Sequence, residues 1–207
     1  MALLNDGLKE LNLPFTEEQL NLLNRYIGEI ELWNPRYGLV NAEGDDLIRR
    51  HILDSLAGVS AVARKQPASL ADVGSGAGLP GIPLAIMLPQ VAVTLIERSG
   101  KRVRFLRNAA AVLNLKNLTI MEADLKNVRE RYDLVTFRAF KPVEPGIMEL
   151  LMNILDKEGV LAAYKGKREN IREEIDLVSS LAEAREILPL SVPGVREERH
   201  LVFYKRI

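Results

Sequence analysis

Residues 70–83, LADVGSGAGLPGIP, contain four glycines and two prolines between an apolar run and a helix-like run. Glycines permit a tight turn and let a ligand lie against the backbone, as in the first strand-to-helix loop of nucleotide-binding α/β folds. The spacing fits G-x-G-x-x-G at Gly76, Gly78 and Gly81, and also D-x-G-x-G-x-G from Asp72. The glycine spacing is therefore compatible with a tight turn that binds nothing and with more than one kind of nucleotide-binding loop.

Two acidic residues near the loop narrow the choice of ligand. Glu97 ends a predicted strand about twenty residues after the loop, where a carboxylate accepts hydrogen bonds from both ribose hydroxyls of NAD or S-adenosylmethionine and disfavours NADP. Asp72, at the end of the preceding strand, would repel a pyrophosphate but suits a sulfonium and an α-amino group. The sequence therefore predicts S-adenosylmethionine as the cofactor, with an NAD-binding domain as the alternative.

The surrounding pattern predicts an α/β fold. Apolar strands are expected at 69–73, 91–97, 118–121, 132–137 and 159–164, with helices between them, notably 101–114 and 146–157, and a closing antiparallel pair within 185–207. Such alternation predicts a mostly parallel, seven-stranded, Rossmann-like sheet. Helices are expected before it: one begins with a capping box at Thr16 and Gln19 and ends at Pro35, and another covers 45–64. We expect an N-terminal helical extension at 1–66 and a methyltransferase domain at 67–207.

Composition limits the chemistry. The chain has 207 residues, 28 Lys+Arg against 28 Asp+Glu, two histidines and no cysteine. Thiolate zinc sites, disulfides and a cysteine nucleophile are excluded, and no metal is expected. No apolar run has the length of a membrane span, so we expect a cytoplasmic protein without membrane contact. Zero net charge lowers the expectation of a nucleic-acid partner, although a local basic patch supplies the same attraction.

Three absences narrow the choice of methyl acceptor, and one of them is that no acid–base constellation stands out in the sequence. Without cysteine, the covalent route to pyrimidine C5 methylation is closed. After the fourth strand, amino-group methyltransferases carry an Asn/Asp-Pro-Pro-aromatic motif, whereas this chain has FRAFKP. A purine N7 carries a lone pair and no proton, so its methylation requires positioning and no general base. The sequence is compatible with a purine N7 acceptor but does not select it.

Six motifs occur in the order found in one family: RRHILDSL (49–56), DVGSGAGLPGIPLAI (72–86), GKRVRFLR (100–107), RAF (138–140), YKG (164–166) and ERHLV (198–202). From about Thr16 to the C-terminus, the chain resembles the bacterial glucose-inhibited division protein B family, also called ribosomal RNA small subunit methyltransferase G. The resemblance implies S-adenosylmethionine-dependent methylation of N7 of one guanine in the decoding-region loop of 16S rRNA. The implied partner is 16S rRNA or the assembling small ribosomal subunit, and we expect a monomer.

The resemblance also implies roles for individual residues. Arg138 and His51 are the expected catalytic residues, with Asp54 on the same pocket-facing helix as His51. The expected cofactor-binding residues are Asp72, Gly74, Gly76, Gly78, Leu79, Glu97, Asp124, Leu125, Lys126 and Arg138. The expected RNA phosphate contacts are Lys101, Arg102, Arg104, Arg107 and Lys165.

Structural alternatives accompany these roles. Arg138 could form an ion pair with Glu97 or Asp72 instead of acting on the acceptor. His51 and Asp54, three residues apart on a helix, could form only a structural hydrogen bond. Arg199 and His200 are expected to hold the terminal hairpin.

Two departures from the family pattern leave other functions open, and one is Asp124-Leu125-Lys126 after the third strand, where the family commonly shows Arg-x-Glu. The family usually has Tyr-Asn-Leu-Thr where this chain has Tyr37-Gly38-Leu39-Val40, so an amide and a hydroxyl are missing. The alternatives are a methyltransferase of another RNA site or of a small molecule, and a non-catalytic nucleotide-binding module.

Overall fold

The computed structural model describes residues 2–138 and 143–207, so part of the RAF motif, Ala139 and Phe140, lies outside the described residues. Its sheet has seven strands in the order β3-β2-β1-β4-β5-β7-β6. The strands are β1 (Ser69–Val73), β2 (Ala92–Glu97), β3 (Leu118–Glu122), β4 (Tyr132–Arg138), β5 (Leu155–Lys165), β6 (Ala182–Pro189) and β7 (His200–Arg206). The first five are parallel, and β7 is antiparallel to both β5 and β6. The predicted sheet and its closing antiparallel pair are confirmed.

Helices surround the sheet. They are α1 (Ala2–Glu10), α2 (Glu17–Tyr37), α3 (Gly44–Leu47), a π-helix (Ile48–Leu53), α4 (Asp54–Leu56), α5 (Val59–Arg64), α6 (Gly81–Met87), α7 (Gly100–Leu113), a 3₁₀-helix (Leu125–Asn127), α8 (Pro145–Asn153) and α9 (Arg168–Val178). No helix among the described residues has the length and apolar character that a membrane crossing requires.

The apolar core has two layers, one on each face of the sheet. One layer contains the inward side chains of the N-terminal helices together with Leu70 and Leu95, and the other contains Ala71 and Val73 with the buried face of α8. Successive strand residues therefore alternate between the layers, as a pleated strand requires. Because the N-terminal helices share a core with the sheet, a domain boundary after residue 66 stays a prediction.

The N-terminal helices differ from the prediction in two places. Pro35 does not end α2, which continues to Tyr37. The helix ends because Gly38 adopts the left-handed conformation (φ 57°) and its amide donates to the Asn34 carbonyl, while the Asn34 side chain accepts from the next two amides. The single helix predicted over 45–64 is instead divided by the π-helix and by a break at Gly58, where a Cβ atom would lie 2.2 Å from the Tyr164 hydroxyl.

The predicted helix over 146–157 is too long. It ends at Asn153, because β5 begins at Leu155 and pairs there with Tyr132 of β4. The strand is accordingly longer than the predicted 159–164, and α9, which follows it, was not predicted.

Candidate active site

The carboxyl ends of five parallel strands meet at one edge of the sheet, and His200 at the start of β7 reaches the same edge through its pairing with Lys165. In open α/β sheets, ligands bind outside this edge. The predicted site residues at strand ends, Asp72, Glu97 and Arg138, all come to it.

Glu97 fixes the glycine loop. Its two carboxylate oxygens accept hydrogen bonds from the Gly76 amide and the Ser99 amide, each at 2.9 Å, and the side chain is almost fully buried. The Gly74 amide donates to the Ile96 carbonyl at 2.8 Å, so the loop is joined to β2 at two points. Each carboxylate oxygen has a second lone pair. Glu97 can therefore hold the loop and still accept hydrogen bonds from a ribose.

Asp72 is fully buried beneath the loop. One carboxylate oxygen accepts a hydrogen bond from the Gly81 amide at 3.0 Å, whereas Oδ1 has no partner among the described residues. Burial raises the pKa of this carboxyl to about 7, and the Gly81 amide opposes the rise. A buried oxygen without a partner is costly, and a cationic or N–H group of a ligand would satisfy it. Asp72 therefore fits the predicted role beside a sulfonium and an amino group.

A cavity of about 360 Å³ opens beside Glu97, and Asp124 and Leu125 line it as predicted, whereas Lys126 does not. Asp124 caps the 3₁₀-helix by accepting a hydrogen bond from the Lys126 amide at 3.2 Å. The other wall is apolar and suits the faces of an aromatic base. The lining residues are Val73, Gly74, Ile96, Glu97, Arg98, Arg102, Ala123, Asp124, Leu125, Ile147 and Leu150. This cavity, lined by the carboxylates of Glu97 and Asp124 and by apolar side chains, fits an adenosine.

Two of the predicted loop residues have different surroundings. Gly78 has a φ of +88°, and a Cβ atom there would lie 2.5 Å from Cδ1 of Ile82. Glycine at this position therefore lets Ile82 of α6 pack closely against the loop. Gly76 also has positive φ, but a Cβ atom there would meet only the Gly74 carbonyl, at 3.8 Å. Gly76 therefore faces open space and leaves the backbone accessible to a ligand.

Arg138 lies at the centre of a buried charge cluster. Its Nη1 atom donates to Oδ2 of Asp54 at 2.8 Å, and its Nη2 atom donates to Nδ1 of His51 at 3.0 Å. The second Asp54 oxygen accepts a hydrogen bond from Nε of Arg199, also at 2.8 Å. The suggested alternative partners of Arg138, Glu97 and Asp72, were wrong, because the ion-pair partner is Asp54.

The local fold explains how this cluster forms. The π-helix carries His51, and Asp54 follows it directly, so both face the end of β4. π-helical turns are rare and occur often at functional sites. Arg199 was expected to hold the terminal hairpin; it holds Asp54 instead. His200 does link strand ends, since its Nδ1 atom lies 2.7 Å from the Gly166 carbonyl.

His51 is neutral near pH 7. Burial, and next to it the Arg138 guanidinium, lower its pKa to about 4. A guanidinium only donates hydrogen bonds, so Nδ1 of His51 accepts and the proton lies on Nε2. Nε2 has no partner within the described ranges, and it is therefore a free hydrogen-bond donor.

Arg138 and His51 stand between two cavities. On the side of the glycine loop, a cavity of about 180 Å³ is also lined by Leu79, Val40 and Arg102. On the other side, a cavity of about 440 Å³ extends over the ends of β4 and β5 and is lined by Arg50, His51, Asp54, Phe137, Arg138, Tyr164, Lys165, Gly166, Leu190, Arg199 and His200. The cluster therefore separates the predicted cofactor loop from a second pocket of nucleotide size.

The structure does not bring the five predicted RNA contacts together. Lys165 is mostly buried and lies 2.6 Å from a carboxylate oxygen of Glu174. Arg102 lines both cavities near the glycine loop and lies 3.8 Å from Glu97. The remaining three, Lys101, Arg104 and Arg107, project from the exposed surface of α7.

The ion pair of Arg199 with Asp54 and the hydrogen bond of Tyr26 to the glycine loop were not predicted. The Tyr26 hydroxyl, on α2, donates to the Ala77 carbonyl at 2.6 Å and so braces the glycine loop from the N-terminal helices. No local sequence pattern identifies either residue, because each contact joins distant parts of the chain.

The sheet order, the glycine loop and the acid at the end of β2 define a class I, Rossmann-like S-adenosylmethionine-dependent methyltransferase. Solved structures share this fold. A putative O-methyltransferase from Klebsiella pneumoniae has a TM-score of 0.66 at 15% identity, covering 99% of this chain and 96% of that one. PigF with SAH has a TM-score of 0.60 at 14% identity, covering 93% of this chain and 70% of that one.

The sequence comparisons are more specific. The model of the GidB family, rRNA small subunit methyltransferase G, matches residues 19–202, and the chain belongs to this family. A ribosomal RNA small subunit methyltransferase G from Treponema pallidum is 42% identical, over 97% of this chain and 92% of the relative. The Stenotrophomonas maltophilia protein of the same name is 43% identical, over 87% and 84% respectively.

Proposed function

We propose that the protein transfers the methyl group of S-adenosylmethionine to N7 of one guanine in the decoding-region loop of 16S rRNA. Family membership over nearly the whole chain supports an rRNA substrate. The observation that carries the choice of N7 is the set of polar groups between the two cavities, which among the described residues are hydrogen-bond donors and one carboxylate, Asp54, that two arginines already pair with.

The cluster suits an acceptor that loses no proton. Nδ1 of His51 accepts from Arg138, its Nε2 carries the proton, and both oxygens of Asp54 are engaged by arginines. An exocyclic amine needs acceptors that orient and deprotonate it, whereas guanine offers acceptors at N7 and O6 on one edge. Hydrogen-bond donors next to the methyl group therefore favour the N7 edge.

The bound cofactor supplies a methyl group on a sulfonium, and in the transfer an N–C bond forms while the electron pair of the C–S bond stays on sulfur. Glu97 and Asp72 hold the polar groups of the cofactor, and the apolar walls of the 360 Å³ cavity enclose its base. Arg138 and His51 orient the guanine edge from the other side. Positioning of this kind supplies the rate enhancement without a general base.

Three further properties belong to the proposal. The RNA partner is 16S rRNA or the assembling small subunit, the protein works in the cytoplasm, and it acts as a monomer. No group of three or more metal-ligating side chains exists among the described residues, and the expectation of metal-free chemistry stays a prediction.

The test is to incubate the protein with S-adenosylmethionine and small subunits, or 16S rRNA, from cells lacking the modification. Because N7 methylation labilises the ring, reduction and aniline treatment should cleave the RNA at one guanine. Methyl groups on an exocyclic amine, a ribose or a small molecule would contradict the N7 assignment. Cofactor binding without any transfer would favour a non-catalytic module.

A further inference from the structure

The exposed cations around the site differ in whether an acid already pairs with them. On α7, Arg107 lies 3.3 Å from Glu122 and Arg102 lies 3.8 Å from Glu97, whereas Lys101 lies over the Tyr37 ring and Arg104 forms no ion pair with a described residue. At the start of α9, Lys167, Arg168 and Arg172 are exposed, and their side chains form no ion pair with any described residue. A cation that an acid already pairs with attracts a phosphate less strongly, and none of the three α9 cations has such a partner, whereas two of the four α7 cations do.

These three cations line a groove of about 640 Å³, which we call the α9 groove. Its other lining residues are Gly166, Glu169, Glu197, Glu198 and Arg199. Gly166 and Arg199 also line the 440 Å³ cavity beside Arg138. A strand that enters the cavity with one base therefore continues directly into the α9 groove.

The acids of the groove are largely occupied. Glu197 pairs with Arg50 at 2.8 Å, and Glu198 accepts a hydrogen bond from the Arg168 backbone amide at 2.9 Å. Arg168 and Arg172 are one helical turn apart and share a face of α9, whereas Glu169 projects about 100° away from Arg168 around the helix. Among the groove residues without an ion pair to any described residue, three are cations, Lys167, Arg168 and Arg172, and two are acids, Glu169 and Glu198, so the balance of unpaired charge is positive.

We propose that the α9 groove binds the RNA backbone next to the methylated guanine, and that it contributes more to RNA affinity than the exposed face of α7. This inference rests on the proposed function, since it names the surface that presents the substrate to the same site. The occupant is single-stranded RNA, because the groove is continuous with a pocket that admits one base at a time.

The experiment measures binding of 16S rRNA from cells lacking the modification between about 50 and 200 mM salt. We expect R168Q/R172Q to weaken binding about 10-fold and to reduce the slope of log K against log salt by about 1.4, the change expected when two phosphate contacts to a single strand are lost. R104Q/R107Q, which removes the same charge from α7, should change the slope by less than half as much.

Two controls complete the design. R64Q/R185Q removes two cations that pair with Glu186 and Glu183 at the amino edge of the sheet, and it should leave the slope unchanged. E169Q/E173Q removes acids from α9 and should tighten binding. Folding of each variant is checked by its affinity for S-adenosylmethionine, which should stay within about 2-fold of wild type.

The inference would be overturned if R168Q/R172Q kept the wild-type salt slope, or if R104Q/R107Q reduced the slope more than R168Q/R172Q does. Either result would count even if the protein methylates rRNA normally. Methyl transfer is measured separately on the wild-type protein. An enzyme that binds RNA through the α9 groove but methylates no rRNA would support this surface and contradict the proposed function.

Discussion

The two halves of the site hold their charged groups in different ways. Around the cofactor cavity, the acids of Asp72, Glu97 and Asp124 accept hydrogen bonds from backbone amides close by in the fold. Around the second cavity, Arg138 and Arg199 bind Asp54 through side chains that come from three separate parts of the sequence. The cofactor half is built on main-chain geometry and the acceptor half on side-chain ion pairs.

This difference has energetic consequences. A backbone amide stays in place when a nearby side chain changes, so the cofactor half can lose one contact and keep its shape. In the acceptor half, two arginines share one buried carboxylate, with side-chain exposures of 15% and 24% against 6% for Asp54. Loss of that carboxylate leaves two partly buried like charges without their common partner, which is more costly than loss of an exposed pair.

The largest expected effect is therefore on stability, from D54A. We expect the free energy of unfolding to fall by about 3–5 kcal/mol, because two partly buried guanidinium groups lose their common partner. The matched control is D46A, which removes an exposed partner of Arg50 at 3.6 Å. Urea unfolding followed by circular dichroism measures both. An equal decrease in the free energy of unfolding of the two variants would mean that the buried cluster contributes no more to stability than a surface ion pair.

The next effect concerns the cofactor half. E97Q should weaken S-adenosylmethionine binding about 10- to 150-fold, the equivalent of about 1.5–3 kcal/mol, because the amide cannot accept from both backbone donors and the ribose together. E122Q makes the same change at the register partner of Glu97 on β3, where the carboxylate is exposed and pairs with Arg107. Calorimetry should show less than about a 2-fold change in that control. An unchanged affinity in E97Q would remove Glu97 from the site.

A smaller loss is expected from G81A. The added Cβ atom would lie 2.2 Å from Cδ2 of Leu95 and 2.7 Å from Oδ2 of Asp72, so overpacking should destabilise the fold by about 1–3 kcal/mol. G28A is the control, because Gly28 lies within α2 and a Cβ atom there meets nothing within 4 Å. It should stabilise the protein by about 1 kcal/mol. Thermal unfolding of both variants gives the comparison, and a stable G81A would show that the loop tolerates a shift.

The smallest expected effect is a pH dependence of cofactor affinity, which should distinguish the cofactor half of the site from the acceptor half. Asp72, with its pKa raised to about 7, is protonated below that pH and charged above it. Affinity for the cationic cofactor should therefore rise, by up to about 10-fold, between pH 6 and 8 and should be flat in D72N.

The pKa of His51 is instead lowered to about 4, so His51 stays neutral over this whole range. The single-turnover rate at saturating cofactor should accordingly show no step near pH 6.5. Calorimetry and rapid-quench kinetics at matched pH values measure the two quantities. A pH-independent affinity, or a rate step near pH 6.5, would contradict the assignment of these protonation states.

The same contrast explains what could be predicted from the sequence. The strands, the glycine loop and the placement of Glu97 follow from patterns within about twenty-five residues, and the structure has them as expected apart from the earlier start of β5 at Leu155. The partner of Arg138 could not be predicted, because Asp54 is 84 residues away and reaches Arg138 only through the π-helix. The end of α2 depended on Asn34 and Gly38 together, a cap that outweighs the usual effect of Pro35.

Lys165 shows why the contacts of a charged side chain are difficult to predict from the sequence. The sequence places it beside a strand end, where a phosphate contact is a reasonable expectation. The structure places Glu174, on the unpredicted helix α9, against it at 2.6 Å, and burial lowers its pKa. The helix has apolar residues at helical spacing, Ile171, Ile175 and Val178, but was not predicted, and the role of Lys165 in RNA binding stays a prediction.

The central claim is that the cofactor half binds the methyl donor and the acceptor half controls the transfer. R138K tests it most directly, because lysine keeps a charge beside Asp54 but cannot reach His51 and Asp54 with one planar fork. We expect the single-turnover methyl-transfer rate to 16S rRNA to fall about 100-fold, while S-adenosylmethionine affinity stays within about 3-fold of wild type. A parallel loss of cofactor affinity, or a rate equal to that of wild type, would contradict this division of the site.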